Sequence, residues 1–145
     1  MNWLYCEPGS RRASLGLLIV RLVMGTAFIL HGLPKIQTPM AWMGPDAPVP
    51  AALQLAAAVA EFGGGIALIL GLLTPLAALG LAITMGVAAG MVHIPKGDPF
   101  VGKGGPSWEL AGIYLALAIM FLLVGPGRYS IDALLFGRTG SPIKT

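Results

Sequence analysis

The sequence predicts an all-α membrane protein, a bundle of four transmembrane helices, and three observations carry that prediction. Of its 145 residues, 56% are hydrophobic and 10% charged, with a mean hydropathy of +0.81, a balance far from that of a soluble domain. The apolar residues form four long runs, a helical and not a β-barrel pattern. A helix needs about 20 residues to cross hydrocarbon, so four crossings nearly exhaust the chain. Residues 1–145 are therefore expected to form a single integral membrane domain.

The predicted spans are residues 14–33, 50–73, 75–92 and 107–124. Pro34, Pro75, Pro95, Pro106 and Pro126 stand at their ends, where a missing amide donor costs least. Arg11 and Arg12 before the first span have the outline of a secretion signal. Arg21 interrupts the run, and no small-x-small cleavage site follows, so this span is expected to be retained. Spans two and three are joined within a few residues around Thr74, which predicts a tight antiparallel hairpin.

The connections on the opposite side are longer. Residues 35–49 carry Pro39, Pro45, Pro48 and Trp42 and are expected to form an interfacial lid with Trp42 at headgroup depth. Residues 95–106 are rich in glycine and read as a flexible loop. After the fourth span, Ser130 is a reasonable N-cap for a short interfacial helix over residues 130–136. Arg128 and Asp132 are assigned there as structural residues, a local pair or cap at the surface.

An even number of spans puts both termini on one side, and Arg11, Arg12, Arg128, Arg138 and Lys144 outnumber the cations of the other side, Lys35, Lys96 and Lys103. The positive-inside rule then makes both termini cytoplasmic. The net charge of +3 reflects these flanking cations; no basic cluster suggests nucleic acid, and anionic lipid headgroups are the expected partner. Cys6 is the single cysteine. Without a second thiol there is no internal disulfide or Cys-x-x-Cys pair, so thiol chemistry has to come from another chain.

Glu61 stands in the middle of the second run and Arg21 well inside the first. Charges in lipid are costly, so they face a bundle interior and mark function or a buried pair. At about 1.5 Å of rise per residue, Arg21 lies about 10 Å, Glu61 about 18 Å and His31 about 25 Å from the cytoplasmic edge. Rotation then decides whether Glu61 meets Arg21, His31 or neither. An Arg21–Glu61 pair is the structural reading, because a paired buried charge costs less than a lone one.

The outer half holds His31 and Lys35, one helical turn apart on one face, together with His93, Lys96 and Glu109. The first and third spans both close on a His, Pro, Lys order, and Glu61 and Glu109 follow, which suggests two helical hairpins in a parallel pseudo-repeat. No His-x3-His or Glu-x-x-His spacing occurs, so no metal site is assigned. Ala78, Ala82, Gly86 and Gly90 make a small-residue stripe suited to helix contact within the bundle or in a homo-oligomer. Gly63, Gly64 and Gly65 permit close backbone approach and a local distortion beside Glu61.

Four groups of residues resemble the DoxX family. They are Arg21 with Gly25, Phe28, His31, Gly32 and Lys35; Glu61-Phe62-Gly63-Gly64 with Gly71-Leu72-Leu73-Thr74; Trp108-Glu109-Leu110; and the segment from Gly125 through Arg128 to Asp132. The resemblance runs over residues 15–137. It implies a small four-helix protein of the bacterial inner membrane. Relatives are tied to thiosulfate:quinone oxidoreduction and to membrane complexes joining sulfur metabolism to oxidative-stress defence. Arg21, His31, Lys35, Glu61, Glu109 and Asp132 map as family positions, and none is an established catalyst.

The favoured functional expectation is a membrane accessory subunit of a redox system, linking sulfur or thiol oxidation or oxidative-stress defence to the quinone pool. A redox or sulfur-transfer enzyme is the expected partner and electron source, since the chain has no haem motif or nucleotide-binding glycine loop. A direct quinone-binding oxidoreductase subunit is the alternative, and a small-solute or proton carrier the third reading. No cofactor is certain. For a quinone, Arg21, His31, Lys35, Glu61, His93 and Glu109 are the binding candidates, with Glu61 and His31 as candidates for proton chemistry.

Overall fold

In the computed structural model the described residues are 10–47 and 49–136. Cys6, Pro48, Arg138 and Lys144 lie outside them. The described chain is a four-helix membrane bundle: α1 (Arg11–Gln37), α2 (Ala51–Leu70), α3 (Thr74–Val87), α4 (Glu109–Val124) and a short α5 (Ile131–Phe136). A π-helical turn, Ala88–His93, and a 3-10 turn, Ile94–Lys96, extend α3. Three helical stretches, Arg11–Gln37, Ala51–Leu70 and Thr74–Lys96, are long and apolar enough to cross a membrane, and α4 is apolar but shorter.

Local chemistry sets the helix ends. The Ser10 hydroxyl caps α1 by accepting from the Ala13 amide at 3.2 Å. Gly71, in the left-handed region, closes α2 while the Leu72 amide donates to the Ala67 carbonyl. Pro75 opens α3, where its missing amide is no loss. Two prolines depart from the expected punctuation. Pro34 lies inside α1, which runs on to Gln37; Pro95 cannot extend an α ladder, and the chain widens into the π turn before reaching it.

α1 packs against α2, α2 against α3 and α3 against α4, and the ring of Phe28 in α1 meets that of Tyr114 in α4, with centroids 4.9 Å apart. The burial pattern suits lipid. Val23, Leu76 and Leu123 on the outside are each at least 66% exposed, whereas Arg21, Glu61 and Asp132 are at most 2% exposed. Apolar side chains therefore coat the bundle and the ionisable ones turn inward.

Glycines set the α1–α2 register. A Cβ on Gly32 would lie 2.5 Å from the Phe62 backbone nitrogen, and one on Gly65 would lie 2.8 Å from the Gly25 carbonyl oxygen. The helices meet backbone to backbone there. Within the bundle the α3 stripe plays a smaller part than expected. Ala78 is buried, but a Cβ on Gly86 or Gly90 would meet nothing within 4 Å. α2 continues through Gly63–Gly65 without a break, and the local distortion falls in the π turn instead.

Candidate functional site: a polar chamber at the lid end

The α1–α2 register puts Glu61 against the last turns of α1. Arg21 lies eleven residues before Gly32, about 16 Å along the axis, beyond the reach of its side chain toward Glu61. The expected Arg21–Glu61 pair is thus corrected: Glu61 Oε1 receives Lys35 Nζ at 2.6 Å. Its other oxygen, Oε2, is buried without a hydrogen-bond partner among the described residues. Buried polar atoms are normally satisfied, and leaving one unpaired costs free energy.

Both charges border a chamber of about 230 Å³, whose polar lining consists of His31, Lys35, Glu61, His93, Ser107 and Tyr114. Phe28, Met85 and Ala111 supply apolar wall. Drug-sized ligands occupy roughly 300–1,000 Å³, so this space suits a small molecule or a headgroup. Four residues expected in the binding set, His31, Lys35, Glu61 and His93, come together around it. Glu109 does not line it but opens α4, where a carboxylate favours the positive helix end.

The connection between α1 and α2 folds over the pair. Lys35 Nζ lies 4.5 Å from the centre of the Trp42 ring, a cation–π contact. Trp42 Nε1 donates to the Gln54 carbonyl at 3.0 Å. The Gln54 side chain accepts from the Met43 amide at 3.1 Å and donates to the Val49 carbonyl at 2.9 Å. The expected lid is therefore fastened inward, with Trp42 half-buried on Lys35. On the far wall, His93 Nδ1 and Asp98 Oδ2 are 2.8 Å apart, which orients the ring and leaves Nε2 as its other hydrogen-bonding atom.

Gln54, Asp98, Ser107 and Tyr114 had no place in the sequence-based assignment. Gln54 carried a signal, since it is a polar residue in an apolar span two helical turns before Glu61, on the same face. Asp98 carried none beyond its nearness to His93.

The other expected residues build a separate device at the opposite end. Arg21 donates to the carbonyls of Leu68 (2.7 Å) and Ile69 (3.0 Å) at the close of α2, and to those of Pro126 and Tyr129 (2.9 Å each). Those two α2 carbonyls lie in the last turn, where the ladder leaves acceptors free and the helix dipole favours a cation. Asp132 is not the surface residue expected. It is fully buried, and its carboxylate accepts from the Leu73 and Thr74 amides at 2.7 and 2.8 Å, capping α3. Leu73 is held at φ 49°, a left-handed conformation uncommon for a side chain of its kind. Arg128 is exposed and makes no ion pair with Asp132. The expected Ser130 cap is present: its hydroxyl accepts from the Ala133 amide at 3.1 Å.

Comparison with known proteins gives the family. The DoxX family profile matches residues 16–94, more than half of the chain. The chain belongs to the DoxX family. It is also similar to an uncharacterized protein of Haemophilus influenzae, 37% identical over 120 residues that cover 80% of this chain and 87% of that protein. No solved structure matches the chain. The DoxX match extends from α1 through the π turn to Ile94 and includes Arg21, His31, Lys35, Glu61 and His93, whereas Tyr114 and the Arg128–Asp132 segment lie beyond it.

Proposed function

We propose that this protein is a partner-dependent membrane subunit of a redox system and that its chamber receives the headgroup of a membrane quinone. The observation that carries the reading is the unpartnered, buried Glu61 Oε2 at the edge of a small cavity. Lys35, His31, His93 and Tyr114 border the same cavity and supply hydrogen-bond donors suited to two carbonyl oxygens. The free Glu61 oxygen is an acceptor for a proton exchanged there. A bound quinone supplies the two-electron carrier; the chain's residues orient it, exclude water and hold the proton. A single cysteine offers no dithiol couple, so electrons enter from a partner enzyme of sulfur, thiol or oxidative-stress chemistry. The cation excess at the Arg11–Arg12 end supports cytoplasmic termini in a bacterial inner membrane.

The test is photoaffinity labelling with a quinone analogue in nanodiscs, using protein purified with any bound partner and with the adducts mapped by mass spectrometry. Adducts are expected around the chamber, and Glu61→Gln or His31→Ala should lower labelling about tenfold, the factor that corresponds to about 1.4 kcal/mol. Unchanged labelling in both variants, or adducts spread over the lipid-facing surface, would contradict the reading.

A further inference from the structure

We propose a second binding site, for the phosphate headgroup of an anionic phospholipid, in the groove at the Arg21 end of the bundle. This groove, of about 440 Å³, lies between α1, the close of α2 and the segment entering α5. Its lining combines two guanidinium groups, Arg21 and Arg128, with apolar side chains that include Leu18, Ile69, Leu70 and Leu134. No carboxylate lines it.

The donor count leaves capacity for an anion. A guanidinium has five N–H groups, and Arg21, which is 1% exposed, places four hydrogen bonds on carbonyl oxygens. One N–H on Nη2 is left over. Asp132 is committed to the Leu73 and Thr74 amides. Arg128 is exposed and has no ion pair among the described residues. The Arg128 fork and the one spare N–H of Arg21 border the same groove and suit phosphate oxygens, which guanidinium N–H groups recognise.

The apolar walls decide between a lipid and free phosphate. Leu70 is 44% and Leu134 84% exposed, so the groove runs out onto the apolar coat of the bundle, where an acyl chain continues from the headgroup. Leu135 and Phe136 are likewise exposed on α5, which fits a short helix lying at headgroup depth. A phosphodiester there meets the arginines while its tail meets leucine and isoleucine.

The test compares wild type, Arg128→Gln and an Arg11→Gln/Arg12→Gln double variant in nanodiscs of equal phosphatidylglycerol and phosphatidylcholine, counting retained lipids by native mass spectrometry. Wild type is expected to retain phosphatidylglycerol preferentially. Arg128→Gln should lower that preference about fivefold, and the double variant, which removes more charge but leaves the groove intact, should keep it. Arg128 is exposed, and equal thermal unfolding of Arg128→Gln and wild type verifies the fold; Arg128→Lys, which keeps the charge, should retain part of the preference. Three results would overturn the site: an undiminished preference in Arg128→Gln, an equal loss in the double variant, or displacement of the lipid by millimolar inorganic phosphate.

Discussion

Arg21 and Glu61 meet the cost of an ionisable group in apolar surroundings in different ways. Arg21 is surrounded by backbone carbonyls and takes up acceptors that the end of α2 would otherwise leave open. Glu61 has one cation, Lys35, and one unused oxygen. The first arrangement is a structural clamp, and the second retains capacity for a ligand. Arg21→Met keeps an unbranched apolar stem but strips donors from the Leu68, Ile69, Pro126 and Tyr129 carbonyls. It should therefore lower stability by about 3 kcal/mol or more in reversible unfolding from mixed micelles. A loss below about 1 kcal/mol would show that those carbonyls find other donors. Glu61 and Arg21 stood out in the sequence because charge is rare in these runs, and Lys35 because it shares a face with His31, yet their partners did not. Depth arithmetic starts from assumed span edges, and α1 in fact runs from Arg11 to Gln37.

At the scale of elements, the partner of Glu61 follows from how α1 slides along α2. Gly25, Gly32 and Gly65 fix that register because a side chain at any of them would strike the opposing backbone. Gly32→Ala puts a methyl 2.5 Å from the Phe62 nitrogen, which neither backbone can easily yield. The helices should separate locally, lowering the thermal midpoint and the quinone labelling together; Gly86→Ala, where a Cβ meets open space, should change neither. Equal behaviour of the two alanine variants would contradict this register. The glycines were visible in the sequence, but nothing there told a contact glycine from one facing lipid, and the α3 stripe drew the emphasis. Helix positions were legible from proline and apolar run length. Pro34 and Pro95 escaped that rule because the last turn of α1 tolerates one lost hydrogen bond and the π turn absorbs the other.

For the whole molecule, lipid reverses the usual sorting of side chains. Leucine and valine coat the outside, while Arg21, Gln54, Glu61, Thr74 and Asp132 are buried, so the interior is where chemistry collects. Composition and the four apolar runs made the membrane bundle legible. The split of the ionisable residues into a clamp at one end and a chamber at the other was not, since it needs helix rotation as well as depth. The two ends then have separate tasks: Arg21 and Asp132 lock the α2–α3 hairpin, and Lys35 with Glu61, roofed by Trp42, borders the space offered to a ligand.

The Lys35–Glu61 pair is tested most directly by a double-mutant cycle on folding stability in mixed micelles, with Lys35→Met, Glu61→Gln and both together. Lys35→Met leaves the buried Glu61 without its cation and Glu61→Gln leaves the partly exposed Lys35 without its anion, so the double variant should be more stable than the sum of the two losses predicts, by at least about 1 kcal/mol. Additive losses would contradict the account.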